Sequence, residues 1–324
     1  MEHLLQGLRA AGEETRMRLL VLCGHAELTV SELLQILGQS QPRVSRHLKL
    51  LCEAGLIDRF QEGSWVYYRL ASKSENSLLA RYLVDLTKET DPVVARDLGR
   101  LDTIKQARSD AATAYFKMNA SRWNEIRSLH VDEEEVESFL LATMREHQER
   151  SGKEIVDFLD IGTGTGRILE LFGPRVEYAV GVDTSREMLA YARTAIEEKG
   201  LRNCQVRMGD MYTLPMANQS QDAVVIHQVL HYADRPTVVI EEARRVIRSE
   251  GVLIIVDFAP HEVTALNEEH AHRQSGFELK QVKEWCEAAG FLNVSTHVLK
   301  GDPLTVNIWV AEAGRANSSL GVIK

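Results

Sequence analysis

The stretch Glu154-Ile-Val-Asp-Phe-Leu-Asp-Ile-Gly-Thr-Gly-Thr-Gly166 decides how the larger part of this chain folds. Its apolar run, 155–159, reads as a strand, and the apolar segment 168–172 beyond it as a helix. Between them Gly162, Gly164 and Gly166 alternate with threonines. Glycine at a strand-to-helix turn lets a ligand approach the backbone closely, at the positive end of a helix. Spacing discriminates between ligands: a dinucleotide fingerprint needs a third glycine at position 167, which is Arg167.

Toward the C-terminus the pattern keeps alternating. Extended runs at 179–183, 204–208, 222–227 and 252–257 are separated by helical patterns at 187–199 and 237–248. This predicts a parallel sheet with helices on both faces, finished by a helix at 279–289 and closing strands at 293–299 and 304–312. Ligands of such sheets sit at the carboxyl ends of the strands. The residues expected there are Asp160, Asp183, Gly209-Asp210-Met211 and His227-Gln-Val-Leu-His231. Asp183 ends the second strand, where a carboxylate can accept from both hydroxyls of a ribose.

The N-terminal part has a different grammar. Segments 3–12 and 14–24 read as short Leu-rich helices. Thr29-Val-Ser-Glu32 is a capping box ahead of Leu33, Leu34, Ile36 and Leu37. After the turn Gly38-Gln-Ser40, a second helix is expected over 41–52, with Pro42 tolerated in its first turn. Val44, Leu48 and Leu51 share one face, and Arg43, Arg46, His47 and Lys49 lie mostly off it. Extended runs at 56–61 and 64–70 join around Glu62-Gly63 as a hairpin, and 77–86 returns to helix. Helix, tight turn and basic second helix are what major-groove reading requires. Ser40, Gln41, Arg43, Ser45, Arg46 and His47 would meet base edges, and Lys49 and Arg59 the phosphates.

Charge supports this division. The chain carries a net −9, yet residues 1–90 hold 11 Lys and Arg against 11 Asp and Glu. The whole acidic excess therefore lies beyond residue 90, and 41–52 contains no acid. Local charge decides phosphate contact better than a global sum. Four scattered cysteines, no apolar run long enough for a bilayer and no leader pattern point to a reduced, cytoplasmic protein.

The string SQPRVSRHLKLLCEAGLIDRFQEGSWVYYRL, residues 40–70, resembles the ArsR-type winged-helix repressors, in which VSxHLxxLxxAGLxxxxxxGxxxxYxL recurs. The resemblance covers residues 1–90. It implies a winged helix-turn-helix, mainly α with a β-hairpin, that binds a double-stranded DNA operator as a homodimer. The first helix and 77–86 would form the dimer contact. Metal-sensing members carry two cysteines in an ELCVCDL-like stretch. Here Glu27-Leu-Thr-Val-Ser-Glu-Leu33 places Thr29 and Ser31 at those positions. Hydroxyls are poor ligands for soft metals, so no metal site is expected.

Residues 112–312 resemble class I methyltransferases, an α/β Rossmann-like fold that binds S-adenosylmethionine. The D-x-G-x-G-x-G turn, Asp183, Gly209-Asp210-Met211, Leu214-Pro215 and the strand ending at His227 carry that resemblance in order. It implies a cofactor pocket of Asp160, Gly162, Thr163, Gly164 and Gly166 around the methionine end, Asp183 on the ribose, and Thr184 and Met188 beside adenine. Asp210 would take the adenine amino group, Met211 would pack on the ring, and His227 would line the reactive centre. Tyr115-Phe116 and Arg122-Trp123-Asn124 would lie in a lid segment. Segment 91–111 is expected as a helical connector and 313–324 as a tail.

Together the halves resemble bacterial ArsR–methyltransferase fusion regulators. The function this implies is a transcriptional repressor that senses S-adenosylmethionine or S-adenosylhomocysteine, or methylates a small molecule. The alternative is primarily a small-molecule methyltransferase with autoregulatory DNA binding. A general base is required only if the acceptor is protonated; His227, His231, Tyr115 and His261 are candidates. Cys204 and Cys286 are too few and too scattered to grip an arsenical substrate.

Overall fold

The computed structural model describes residues 1–62, 65–118, 133–261, 274–301 and 304–314. The chain divides into two units, Met1–Thr113 and Ala114–Lys324.

The N-terminal unit holds α1 (Glu2–Ala11), α2 (Glu14–His25), β1 (Leu28–Thr29), α3 (Val30–Leu37), α4 (Gln41–Glu53), β2 (Ile57–Glu62), β3 (Trp65–Leu70), α5 (Ser77–Leu86) and the first part of α6 (Pro92–Met118). The capping box forms: Thr29 N–H donates to Glu32 Oε2 at 2.8 Å, and Glu32 N–H to Thr29 Oγ1 at 3.3 Å. Thr29, where metal sensors have a thiolate, is thus committed to starting α3. Gly38 ends that helix at φ 65°, a left-handed cap that glycine adopts without penalty. Val44, Leu48 and Leu51 of α4 are fully buried against Leu19, Leu20, Leu33 and Ile36. The hairpin pairs β2 with β3 from Ile57↔Leu70 to Glu62↔Trp65. A short strand not expected from sequence, β1, adds to its edge through Leu28↔Tyr68 and Thr29↔Tyr67.

Segment 91–111 does not stand apart from this unit. Arg18 and the buried Asp97 form a two-bonded ion pair at 2.6 and 2.9 Å. Arg100 donates to Ile36 O at the end of α3 at 2.6 Å. Arg108 reaches both oxygens of Glu32 and the carbonyl of Glu27 at its start.

The C-terminal unit adds α7 (Glu133–Ser151), β4 (Asp157–Ile161), α8 (Arg167–Phe172), β5 (Tyr178–Asp183), α9 (Arg186–Glu198), β6 (Cys204–Met208), β7 (Gln221–His227), α10 (Pro236–Val246), β8 (Ile247–Phe258), α11 (Leu279–Ala288), β9 (Phe291–Leu299) and β10 (Val306–Ala313). Its seven-stranded sheet has the order β6-β5-β4-β7-β8-β10-β9. Both faces are buried, so the central stretch of β8, residues 252–256, is apolar at every position. Ile254 and Val256 pack beneath α7, α8 and α9, and Leu253 and Ile255 against α10 and α11.

The parallel sheet expected from sequence is in fact mixed. β10 runs antiparallel to both β8 and β9 and lies between them. β9 ends at Leu299 and β10 starts at Val306, a connection too short for the crossover a parallel neighbour needs. The strand order reverses between β5-β4 and β7-β8, which opens a crevice at the carboxyl ends of β4 and β7.

Candidate cofactor crevice and basic helix face

The turn after β4 is built for close approach. Gly162, Gly164 and Gly166 have φ of 72°, 51° and 85°, values that favour glycine. At Gly162 a Cβ would also overlap the Val229 side chain, which leaves no room for any other residue. At Gly164 a Cβ would meet nothing within 4 Å, so space lies directly in front of that backbone. Gly162 and Thr163 donate to Val182 O at 2.7 and 3.0 Å, stitching the turn to β5.

Asp183 ties three strand ends together. Its Oδ2 accepts from Gly164 N at 2.9 Å, its Oδ1 from Ser185 N at 2.8 Å, and its carbonyl from Gly209 N at 3.0 Å. Thr184 beside it is exposed and Met188, in the first turn of α9, is half-buried. Asp210 is exposed, with its Oδ1 accepting from Tyr212 N at 2.9 Å, and Met211 is half-buried.

Asp160 has the most demanding environment. It is 1 % exposed, and neither carboxylate oxygen has a hydrogen-bond partner among the described residues. Burial pushes its carboxyl up to about 7; the charge of Asp183 adds to the rise and the Thr163 hydroxyl opposes it. A buried carboxylate without a donor costs stability unless a ligand supplies one.

On the other side of the crevice His227, ending β7, is half-buried. Gln228 follows with φ 54°, a strained value for a side chain of its kind. His231 is buried and its Nδ1 lies 2.7 Å from Asp257 Oδ1, at the end of β8. Asp257 also accepts from the His231 and Phe258 amides at 3.2 and 2.8 Å. Sequence reading missed Asp257. Its one signal was an acid interrupting the carboxyl end of an apolar strand. His261 stands near this pair, its proton affinity lowered by burial and by His231, with Asp257 opposing. The side chains of Tyr115 and Phe116, and all of Arg122, Trp123 and Asn124, lie outside the described residues.

Cys204 and Cys286 sit in the cores on opposite faces of the sheet. Burial pushes each thiol up to about 12, so neither supplies a thiolate.

In the N-terminal unit, Ser40, Gln41, Arg43, Ser45, Arg46 and Lys49 are all exposed on α4 or its cap, and Arg59 is exposed on β2. His47 departs from them. It is half-buried, with Nδ1 3.6 Å from Glu13 Oε2. Lys49 lies 3.7 Å from Glu53 in an exposed pair.

Comparison with known proteins gives these surfaces a class. Residues 13–59 match the family model described as bacterial regulatory protein, arsR family, and residues 159–255 a model described as methyltransferase domain. The arsenical resistance operon repressor of Escherichia coli is 43 % identical over 68 residues, covering 21 % of this chain and 58 % of that protein. The uncharacterized methyltransferase YcgJ of Bacillus subtilis is 31 % identical over 105 residues, covering 32 % of this chain and 42 % of that protein. An S-adenosylmethionine-dependent methyltransferase from Clostridium acetobutylicum superposes with a TM-score of 0.51 at 14 % identity, over 62 % of this chain and 99 % of the other; it shows the fold. The chain spans about half the length of the curated relatives it matches.

The molecule therefore combines a DNA-binding regulatory domain with a methyltransferase domain. More particularly, it joins an arsR-family helix-turn-helix, residues 13–59, to a methyltransferase domain, residues 159–255. Among the described residues no helix is long and apolar enough to cross a membrane, and no cluster of three or more His, Cys, Asp or Glu is arranged to hold a metal.

Proposed function

We propose that this chain is a transcriptional repressor that binds a double-stranded DNA operator as a homodimer and reads S-adenosylmethionine or S-adenosylhomocysteine in its C-terminal domain. The observation that carries the reading is the buried Asp160 carboxylate, with only the Thr163 hydroxyl near it among the described residues and no well-formed hydrogen bond, beside a glycine turn that is open in front of Gly164. An amino-acid ammonium supplies both the charge and the hydrogen bonds this carboxylate lacks. Asp183, held by Gly164 and Ser185, keeps further acceptor capacity for ribose hydroxyls. Thr184, Met188, Asp210 and Met211 would enclose the adenine, with His227 at the reactive end. When bound, the cofactor supplies a methyl group already activated as a sulfonium; the protein's task is then to hold an acceptor in line with it.

Dimerisation rests on one surface. Leu4, Leu5 and Leu8 of α1, and Leu78, Tyr82 and Leu86 of α5, are exposed large apolar residues. The two helices adjoin: a Cβ on Gly7 would lie 2.7 Å from the Leu79 side chain. An apolar patch of this kind is what a second copy would cover.

A second reading, a working small-molecule methyltransferase that also regulates its own expression, is favoured by His231 and Asp257. An imidazole oriented by a buried carboxylate is the arrangement that activates a general base. A protonated oxygen or nitrogen acceptor is the substrate class it would serve.

Titration of the full chain with S-adenosylhomocysteine in a calorimeter tests the proposal. Stoichiometric binding is expected, and Asp183→Ala should weaken it by about 1–3 kcal/mol, the cost of unmet buried polar groups. Absence of binding to the unmodified protein would overturn the cofactor reading.

A further inference from the structure

The C-terminal unit has a second hollow, away from the crevice. It encloses about 470 Å³ between α7 and the segment that follows α8. Ile155 lies just before β4 and Val176 just before β5, so the hollow sits at the amino ends of the strands. The cofactor crevice is at their carboxyl ends, and one ligand cannot occupy both.

Its chemistry is mixed in a particular way. Leu141, Ala142, Met144, Ile155, Phe172 and Val176 provide an apolar lining, and the only charged residues among the described ones that line it are Arg145 and Arg175. Arg145 is exposed and pairs with no carboxylate among the described residues. Arg175 is exposed and donates through one nitrogen to the carbonyl of Leu171 at 2.6 Å, and it pairs with no carboxylate among the described residues. Among the described residues no Asp or Glu lines the hollow, although the chain beyond residue 90 carries the whole acidic excess. Elsewhere on the same face arginines are matched: Arg167 holds Glu137 through two bonds of 2.6 and 2.7 Å.

We propose that this hollow is a binding site for a small amphipathic anion, a carboxylate carried on an apolar or aromatic body, with Arg145 and Arg175 receiving the charge. The volume lies within the roughly 300–1,000 Å³ of small-molecule sites. Two guanidiniums beside a low-dielectric wall attract an anion more strongly than they would in open solvent. The lining accepts the body of the ligand, and Gln148 and Ser138 at the rim add polar contacts. The site stands independently of the cofactor reading.

The test uses the full chain, with 1-naphthoate and its neutral isostere 1-naphthamide as probes in isothermal titration calorimetry. Saturable one-to-one binding of naphthoate is expected, with naphthamide roughly tenfold weaker, the worth of one charge-assisted contact. Arg145→Gln with Arg175→Gln, with thermal unfolding recorded to check the loss of the Arg175 bond to Leu171, should bring the two probes to equal affinity. Ala142→Trp should fill the hollow and abolish binding of both; its thermal unfolding would be recorded beside that of the unsubstituted chain. No binding of naphthoate, equal affinities for the two probes, or a naphthoate preference that survives the double arginine substitution would each overturn the proposal.

Discussion

The two units carry their candidate surfaces in opposite ways. In the N-terminal unit the working groups are exposed side chains on α4, held out by a small core of Val44, Leu48 and Leu51 beneath them. In the C-terminal unit they are backbone turns and buried polar atoms: three glycines at positive φ, and a carboxylate with no well-formed hydrogen bond among the described residues. The first arrangement suits a large anionic partner that approaches from solvent. The second suits a small ligand that must be enclosed. Substitution should therefore separate the activities: surface changes on α4 should alter binding and spare stability, and changes at the β4 turn should alter both.

The largest effect is expected on DNA. Arg43→Ala with Arg46→Ala should remove site-specific binding, at about 1–3 kcal/mol per lost base contact, with cofactor binding unchanged. Footprinting reads it, and a double variant that still protects its operator would remove α4 from base recognition. His47→Ala sharpens the point. Because His47 leans toward Glu13, it should cost less than either arginine.

The next effect is on pH. Asp160 is raised from 3.8 to about 7, mainly by burial. Between those values the folded, ligand-free protein holds a proton that the unfolded chain has released. This contribution to stability is present below pH 3.8 and is lost as pH rises to about 7. Ligand binding runs the other way, because an ammonium needs the carboxylate. Affinity for S-adenosylhomocysteine should fall about tenfold per unit as pH drops below 7, and be flat above it. Asp160→Asn should remove the slope; an unchanged slope in that variant would transfer the titration to another group.

A smaller effect distinguishes two neighbouring glycines. Gly162→Ala meets Val229 and should destabilise the domain by about 1–3 kcal/mol in denaturant unfolding. Gly164→Ala has open space and should cost stability less, through its φ of 51° alone, while still obstructing the ligand. Equal stability losses would mean that the Val229 contact is not what restricts position 162.

Local features were legible in the sequence. The capping box at Thr29 and Glu32, the inner face of α4 and the strands of the sheet follow from patterns a few residues long. Contacts between distant segments were not. Arg18 and Asp97 are 79 residues apart, and Arg108 and Glu32 are 76 apart. No periodicity in segment 91–111 indicates that it binds the first unit. β1 has only two residues, too few for alternation to show. The place of β10 between β8 and β9 is a matter of sheet topology, which hydrophobic pattern does not encode. The crevice is intermediate. Its glycines and strand-end acids could be listed from spacing, but the burial of Asp160 and the pairing of His231 with Asp257 depend on neighbouring strands.

The proposed function requires one chain to couple a DNA surface to a cofactor pocket. The direct test is its affinity for the DNA upstream of its own coding region, measured without ligand, with S-adenosylmethionine and with S-adenosylhomocysteine. Coupling is reciprocal, so a regulator that reads its cofactor should show an affinity shifted by roughly 5- to 150-fold with one of the two. Equal affinity in all three conditions, with cofactor binding confirmed by calorimetry, would contradict it and leave two independent activities on one chain.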